Sequence, residues 1–391
     1  MNHPGPPPPS TLHTPGFAHY SLAWSPFHTS RLAIASSANY GLVGNGRLHL
    51  ATVLPPGVGL AGPPPLNLDK FYATQDGLYD VAWSEIHENQ LVSASGDGTL
   101  RLWDVTLNDL PIKSWHEHTR EVFSVDWSNV NKELFASASW DGLVKIYTPT
   151  HSHSLTTLHA HSACIYQALF SPHHQDLIAT TSADGCVKIF DLRLVSSSLP
   201  NTTMTSSTGF NTPLTVPALT IPPTSFSGGG GGMGPGGGGP GVGGGEVLTI
   251  DWNKYRPFVL ASAGVDKVIR VWDCRMVKTG PQPTSSSEST ASGGQILYPP
   301  TPTTQLSGHE YAVRKVQWSP HRADVLASAS YDMTCRVWST SPSPPSPQHQ
   351  NPLLAIHDTH TEFVVGCAWS LYEDGVLASC AWDGRVCVYR G

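Results

Sequence analysis

The sequence is poor in charge, and the charge it has leans acidic. Only 13% of the 391 residues are charged, with Lys+Arg 22 against Asp+Glu 29 and a net charge of −7. A general nucleic-acid binder needs a basic face, so no nucleic-acid partner is expected, a local basic patch aside. No apolar run reaches 18 residues, which argues against a transmembrane helix and against direct membrane insertion. The opening Met1-Asn2-His3-Pro4-Gly5-Pro6-Pro7 has neither a basic start nor an apolar core, so no secretory signal is expected. The 7 cysteines are odd in number, scattered and free of any CxxC pair. A reducing intracellular compartment fits them better than a disulfide framework. There is no nucleotide loop, no GxSxG and no convincing catalytic dyad. Gly44-Asn45-Gly46 is a hairpin turn without a following helix. We therefore expect neither an enzyme nor a cofactor.

Turn formers are abundant, with Gly 37 and Pro 34. Together with low charge they suit an all-β protein and argue against a long-helix bundle. A repeat supports this. An aromatic closes an alternating run at Trp83, Trp127, Phe170, Trp252, Trp318 and Trp369. Fourteen residues after each comes an Asp: Asp97, Asp141, Asp184, Asp266, Asp332 and Asp383. Six residues later an aromatic recurs, at Trp103, Tyr147, Phe190, Trp272, Trp338 and Tyr389. Two constant offsets in six copies exclude chance. A divergent seventh copy opens the chain at Tyr20–Pro26, carries Ala38 in place of the Asp, and continues through a longer hairpin, residues 39–46.

Within a copy the strands are legible. Residues 122–127 and 134–139 alternate, Asp141-Gly142 is a tight turn, and residues 143–147 form a third strand. One four-stranded sheet about every 40–45 residues is a propeller blade. Gly308-His309, Trp338 and the literal dipeptides Trp103-Asp104 and Trp272-Asp273 give the chain a resemblance to the WD40 family. That resemblance implies that His118, His161, His309 and His360, each nine residues before a first aromatic, pair with the turn Asp. A half-buried carboxylate needs such a partner. The same reading accounts for His116/His118 and His159/His161, which otherwise suggest metal ligands but lack a third ligand at suitable spacing. The expected fold is thus a seven-bladed β-propeller over residues 16–391, closed by a strand from the residues before Trp24. A Pro-rich tail, 1–15, is expected to be disordered. Insertions are expected at about 196–245, 279–304 and 339–352. The first is Ser/Thr-rich and then Gly-rich, with 14 glycines among the 18 residues from Gly228 to Gly245.

Outside the repeat, several stretches resemble the family of cytosolic receptors for the type-2 peroxisomal targeting signal. They are Trp24–Phe27, Arg31–Ala33, residues 39–46, Gly77–Trp83, Glu117–Ser124, Ala329–Arg336 and His360–Phe363. The likeness runs from about residue 17 to the end. It implies a protein-import receptor that binds a short helix near the N-terminus of peroxisomal matrix proteins. It also implies a co-receptor peroxin, a peroxisomal docking complex, and cycling between cytoplasm and peroxisome. A basic residue and an aliphatic one seven or so positions from their counterparts share a helix face, and such a face needs an acid and apolar surface in its groove. By repeat alignment, the top of the ring is lined by Asp76, Tyr79, Glu121, Phe123, Tyr166 and Phe363 at blade entries. Trp140, Tyr331 and Trp382 precede the turn Asp. These nine are the candidate cargo-peptide-binding residues, and the resemblance implies Asp76 and Glu121 as partners of the basic residue. Glu246, Leu248, Arg314 and Val365 line the same rim. A general WD40 scaffold of a nuclear or signalling complex is the alternative; it shares the ring but not the hairpin of the first blade.

Overall fold

The alternating runs form strands that pair in chain order into seven four-stranded antiparallel sheets. The computed structural model describes residues 8–41, 44–55, 63–107, 110–196, 216–223, 245–276, 301–341 and 352–390. The third sheet shows the plan. Its strands are Val122–Trp127, Phe135–Ser139, Leu143–Tyr147 and Thr156–His159. Val125 faces Ser137, Ser137 faces Lys145 and Lys145 faces Thr157. All five residues of Phe135–Ser139 are buried. They are mostly Ala and Ser because this strand is covered on both faces, and small side chains let neighbouring sheets approach. We number the blades by their first strands: Phe17–Trp24, Leu78–Trp83, Val122–Trp127, Ile165–Phe170, Val247–Trp252, Val313–Trp318 and Val364–Trp369 are blades 1 to 7.

The core lies between the blades. Ala136 and Ala138 of blade 3 pack with Ile165 and Phe170 of blade 4. Val259 and Ile269 of blade 5 pack with Val316 and Trp318 of blade 6. Val365 and Val386 of blade 7 pack with Leu22 and Ile34 of blade 1. No blade can bury both faces alone, so the ring is the unit of stability.

Around the central channel, side chains of one inner strand accept hydrogen bonds from backbone amides of the next blade. Asp80 accepts from Val125 N at 2.9 Å and Asp126 from Phe170 N at 2.7 Å. Gln167 accepts from Ile250 N, Asp251 from Trp318 N and Gln317 from Trp369 N. Each amide is thereby satisfied without water.

The turn Asp residues sit as the repeat requires. His309 Nδ1 is 2.7 Å from Asp332 Oδ2, and its Nε2 is 2.6 Å from Ser328 Oγ. Trp338 Nε1 donates to Ser328 Oγ at 2.8 Å. A carboxylate only accepts, so Nδ1 carries the imidazole proton, and the Ser328 hydroxyl donates to Nε2. Burial holds His309 below its ordinary value, which keeps the ring neutral and the relay one-directional. His118–Asp141, His161–Asp184 and His360–Asp383 repeat the pairing. Asp97 and Asp266 lie in blades without that His and pair with Arg101 and Arg270 instead.

Four boundaries differ from the sequence reading. Ser10–His13, inside the segment expected to be a disordered tail, is the fourth strand of blade 7. It pairs with Arg385–Arg390, Thr11 facing Cys387 and Leu12 facing Val386. The ring closes through the N-terminal strand, as expected, but through residues nearer the start. Likewise Leu219–Ile221, inside the expected insertion 196–245, completes blade 4 by pairing with Val187–Asp191. Ile221 is buried in the contact with blade 5. A three-residue Leu-Thr-Ile strand in Ser/Thr-rich surroundings is too short for a periodicity to announce it. The ends of the other two insertions are also strand: Thr304 belongs to Thr304–Leu306 and Ser339 to Cys335–Ser339. Residues 1–7, 197–215, 224–244, 277–300 and 342–351 lie outside the described residues. Among the described residues, no helix is long and apolar enough to cross a membrane.

Candidate helix-binding face

The turns between second and third strands and the entries to the first strands share one face of the ring. The inner strand of each blade enters at the rim of the channel, so residues near its start lie at the channel mouth. This brings aromatics from six blades into one track. Tyr331 (blade 6) stacks on Phe363 (blade 7) with centroids 4.9 Å apart, and Phe363 lies 5.3 Å from Trp382. Trp382 is 5.7 Å from Tyr20 in blade 1, and Tyr20 is 5.0 Å from Tyr79 in blade 2. Tyr79 is 5.0 Å from Phe123, which stacks on Trp140 at 5.2 Å and meets Tyr166 edge-on at 6.0 Å. Offset and tilted pairs at these separations are favourable for aromatic rings.

The nine candidate residues thus lie on this face, and the acids are placed around Tyr79. Burial, reinforced by the neighbouring Asp76 and Glu121 carboxylates, pushes the Tyr79 hydroxyl up to about 12. Asp76 is half-buried and oriented by its own loop. Gly77 N donates to its Oδ1 at 2.7 Å, and Thr74 Oγ1 donates to its backbone carbonyl at 2.7 Å. Glu121 is half-buried, and its carbonyl accepts from Trp140 N at 3.0 Å. Arg120 Nε is 3.6 Å from the Glu121 carboxylate, but the Arg120 side chain is half exposed, so this pair is weak. On the far side, Tyr166 donates to Glu246 Oε2 at 2.7 Å. Burial and this acid hold its hydroxyl well above the ordinary value. The Arg314 guanidinium lies 4.8 Å over Phe123. The indole N–H groups of Trp140 and Trp382 are buried and have no hydrogen-bond partner among the described residues. The face therefore offers apolar rings across six blades, an acidic pole at blades 2 and 3, and two unused donors.

Six segments match the WD domain, G-beta repeat family: residues 67–104, 110–148, 152–191, 241–273, 300–339 and 351–390. Five of the six join the outer strand of one blade to the first three strands of the next, and 241–273 covers the first three strands of blade 5 alone. Over nearly its whole length the chain also resembles curated proteins. It is 36% identical over 388 residues to the peroxisomal targeting signal 2 receptor of Saccharomyces cerevisiae, covering 97% of this chain and 98% of that protein. It is 37% identical over 399 residues to the protein of that name from Komagataella phaffii, covering 96% and 97%. The mouse protein of that name is 33% identical over 401 residues, covering 97% and 96%. The chain belongs to the peroxisomal targeting signal 2 receptor family of WD40 proteins.

Two residues of this receptor-family face are not among the nine candidates. Tyr20 joins the two halves of the aromatic track, and Tyr40 lies 5.7 Å from Trp382. Both belong to the first blade. Tyr20 stands four residues before Trp24, the offset at which Tyr79, Phe123 and Tyr166 precede Trp83, Trp127 and Phe170, so the alignment could have located it; Tyr40 lies in the longer hairpin, which the offsets do not reach. The signal available was the hairpin itself, an exposed Tyr between Asn39 and Gly41.

Proposed function

We propose that this protein is a peroxisomal import receptor that binds the type-2 targeting signal of matrix proteins as a helix on the face described above. Asp76 and Glu121 take the basic residue of the signal, and the aromatic track takes its aliphatic residues. The observation that carries this reading is the juxtaposition of two half-buried acids from neighbouring blades with a continuous row of partly exposed rings. A helix with one cation and an apolar stripe complements it in charge and shape. The cation gains a charge-assisted contact to two carboxylates, of which that of Asp76 is already oriented by its own loop. Rings of limited rotamer freedom lose little entropy on binding.

The receptor is proposed to load in the cytoplasm and to reach the peroxisome with a co-receptor peroxin, which covers the outer side of the bound helix, and with the docking complex. A helix lying on an open face leaves one side in water, and a second protein over it adds buried area where the ring alone has none to offer. The chemistry is binding only, with no group transfer assigned to any residue.

The test is a pull-down from the purified protein with an immobilised targeting-signal helix, compared with the same helix bearing Ala at its basic position. Retention of the first and loss of the second is expected. Equal retention of both, or of neither, rejects the reading and favours a general scaffold.

A further inference from the structure

The face of the ring opposite the candidate helix-binding face carries the turns between first and second strands. The third residue after each first-strand aromatic sits in such a turn. In blades 4 to 7 it is His or Tyr, and it reaches the next blade. His173 Nε2 lies 2.9 Å from Asn253 O, and His321 Nε2 lies 3.1 Å from Ser370 O. Tyr255 donates to Pro320 O at 2.7 Å, and Tyr372 donates to Pro26 O. In blades 1 to 3 the same position holds Phe27, Ile86 and Val130, whose side chains have nothing to donate or accept. These three and Leu371 of blade 7 are 41–44% exposed. They form an apolar arc on four successive blades, 7, 1, 2 and 3. The turns are held rigidly: Ser25 Oγ accepts from Phe27 N and His28 N, and Ser84 Oγ from Ile86 N and His87 N.

The arc borders the lower mouth of the central channel, a cavity of about 280 Å³. Pro26, Glu85 and Asn129, each the neighbour of an arc residue, line that cavity, as does Leu371 itself. Its charge is unbalanced. The carboxyls of Glu85, Asp80, Asp126 and Asp251 face only Lys254 and Lys315. Asp80 is taken up by Val81 N and Val125 N, and Asp251 by Trp318 N and Lys254. Glu85, at the mouth, is half-buried. Its one ion pair among the described residues is with Lys132 at 3.9 Å, and that lysine side chain is 58% exposed, so the pair is weak. Burial holds the Glu85 carboxyl above its ordinary value, a cost that a cation brought against it offsets.

We propose that this lower mouth is a second docking site, for a partner polypeptide segment that sets one Lys or Arg against Glu85 and lays apolar side chains on Phe27, Ile86, Val130 and Leu371. The occupant follows from the chemistry of the site. A contiguous exposed apolar surface rimmed by polar groups marks a protein-binding surface, and an excess of carboxyls selects a cation over an anion. The stem of a Lys or Arg packs along Trp24, Trp83 and Trp127 in the cavity wall while its head reaches the acid. The site lies across the ring from Asp76 and Glu121, so both faces can be occupied at once.

The experiment selects a displayed library of random short peptides on the full-length Asp76→Ala, Glu121→Ala variant, whose other face is disabled. Enriched peptides are then titrated into wild type, Glu85→Gln, and Ile86→Ser combined with Val130→Ser. Enrichment of one Lys or Arg flanked by apolar residues is expected. Glu85→Gln should weaken such a peptide about tenfold and its Ala-substituted form less than twofold. The double Ser variant should weaken both forms about tenfold. Thermal melts check that these substitutions leave the ring folded. Enriched peptides that bind Glu85→Gln as tightly as wild type, or enrichment with no common pattern, overturn the proposal. Self-association of wild type that the double Ser variant abolishes also overturns it, because the arc then serves a second copy of the chain.

Discussion

Asp126 shows how much a single side chain can report. Its side chain is half-buried in the channel wall and accepts from Phe170 N, with Lys254, Lys315 and Asp80 around it. Burial is the largest influence and pushes it up to about 7. A carboxyl raised in the folded state holds its proton where the unfolded chain has lost it. Stability therefore falls as pH rises from the unfolded value near 4 through about 7, and above that the loss is complete. Asp126→Asn keeps an acceptor for Phe170 N and removes the charge. Its stability relative to wild type should increase by on the order of 2 kcal/mol between pH 5 and pH 8, read from urea melts at the two values; a constant difference contradicts the assignment. The relay at Asp332 makes a second case. His309→Ala leaves the Asp332 carboxylate and Ser328 short of a partner, and should cost about 2–4 kcal/mol in the same assay. Replacement of the exposed Tyr311 in the same turn should be near neutral.

Among elements, the fourth strands decide how much of the fold is legible. The first three strands of each blade are announced by the aromatic, the Asp and the second aromatic, because those residues fill fixed places: the blade interface, the turn and the relay. The fourth strand pairs with the third by backbone and shows water one face. Leu353–His357 alternates half-buried and exposed, and Leu219–Ile221 is only three residues long. Neither demand fixes a residue type, so the strand hidden in the expected insertion was not legible. The candidate face divides in the same way. Positions at constant offsets were found by alignment, and Tyr20, at the offset of Tyr79, Phe123 and Tyr166, was within its reach; Tyr40 lies in the longer hairpin that replaces the Asp turn in the first copy. A consequence can be measured. Deleting residues 206–243 removes Leu219–Ile221, exposes the blade 4 edge and the Ile221 site, and should lower the melting temperature by several degrees. Deleting only 224–243 shortens a connection at a cost or gain of about 1 kcal/mol and should leave the melt nearly unchanged. Equal behaviour of the two would contradict the strand's contribution.

The whole molecule stands or falls with its seam. Blade 7 takes three strands from the end of the chain and Ser10–His13 from its beginning. The seam is fastened further where Thr14 N donates to Gly384 O at 2.8 Å and Thr14 Oγ1 lies 2.7 Å from His19 Nε2. Removing residues 1–15 leaves an open edge on the ring and unpairs every group of the strand that faced it. Loss of cooperative unfolding is the expected result, and a sharp melt at the wild-type temperature would refute closure by this strand. A closed ring also explains why the candidate face can be rigid. Rings from six blades hold their places because every blade is clamped on both sides, so a ligand meets a preformed surface. The most direct test of that surface is titration of a labelled targeting-signal helix into wild type, Asp76→Ala, Glu121→Ala and the double variant, with thermal melts as the folding control. The account predicts a ten- to hundred-fold loss in the double variant, less than the sum of the singles because both acids hold one cation. Unchanged affinity in a folded double variant would contradict it.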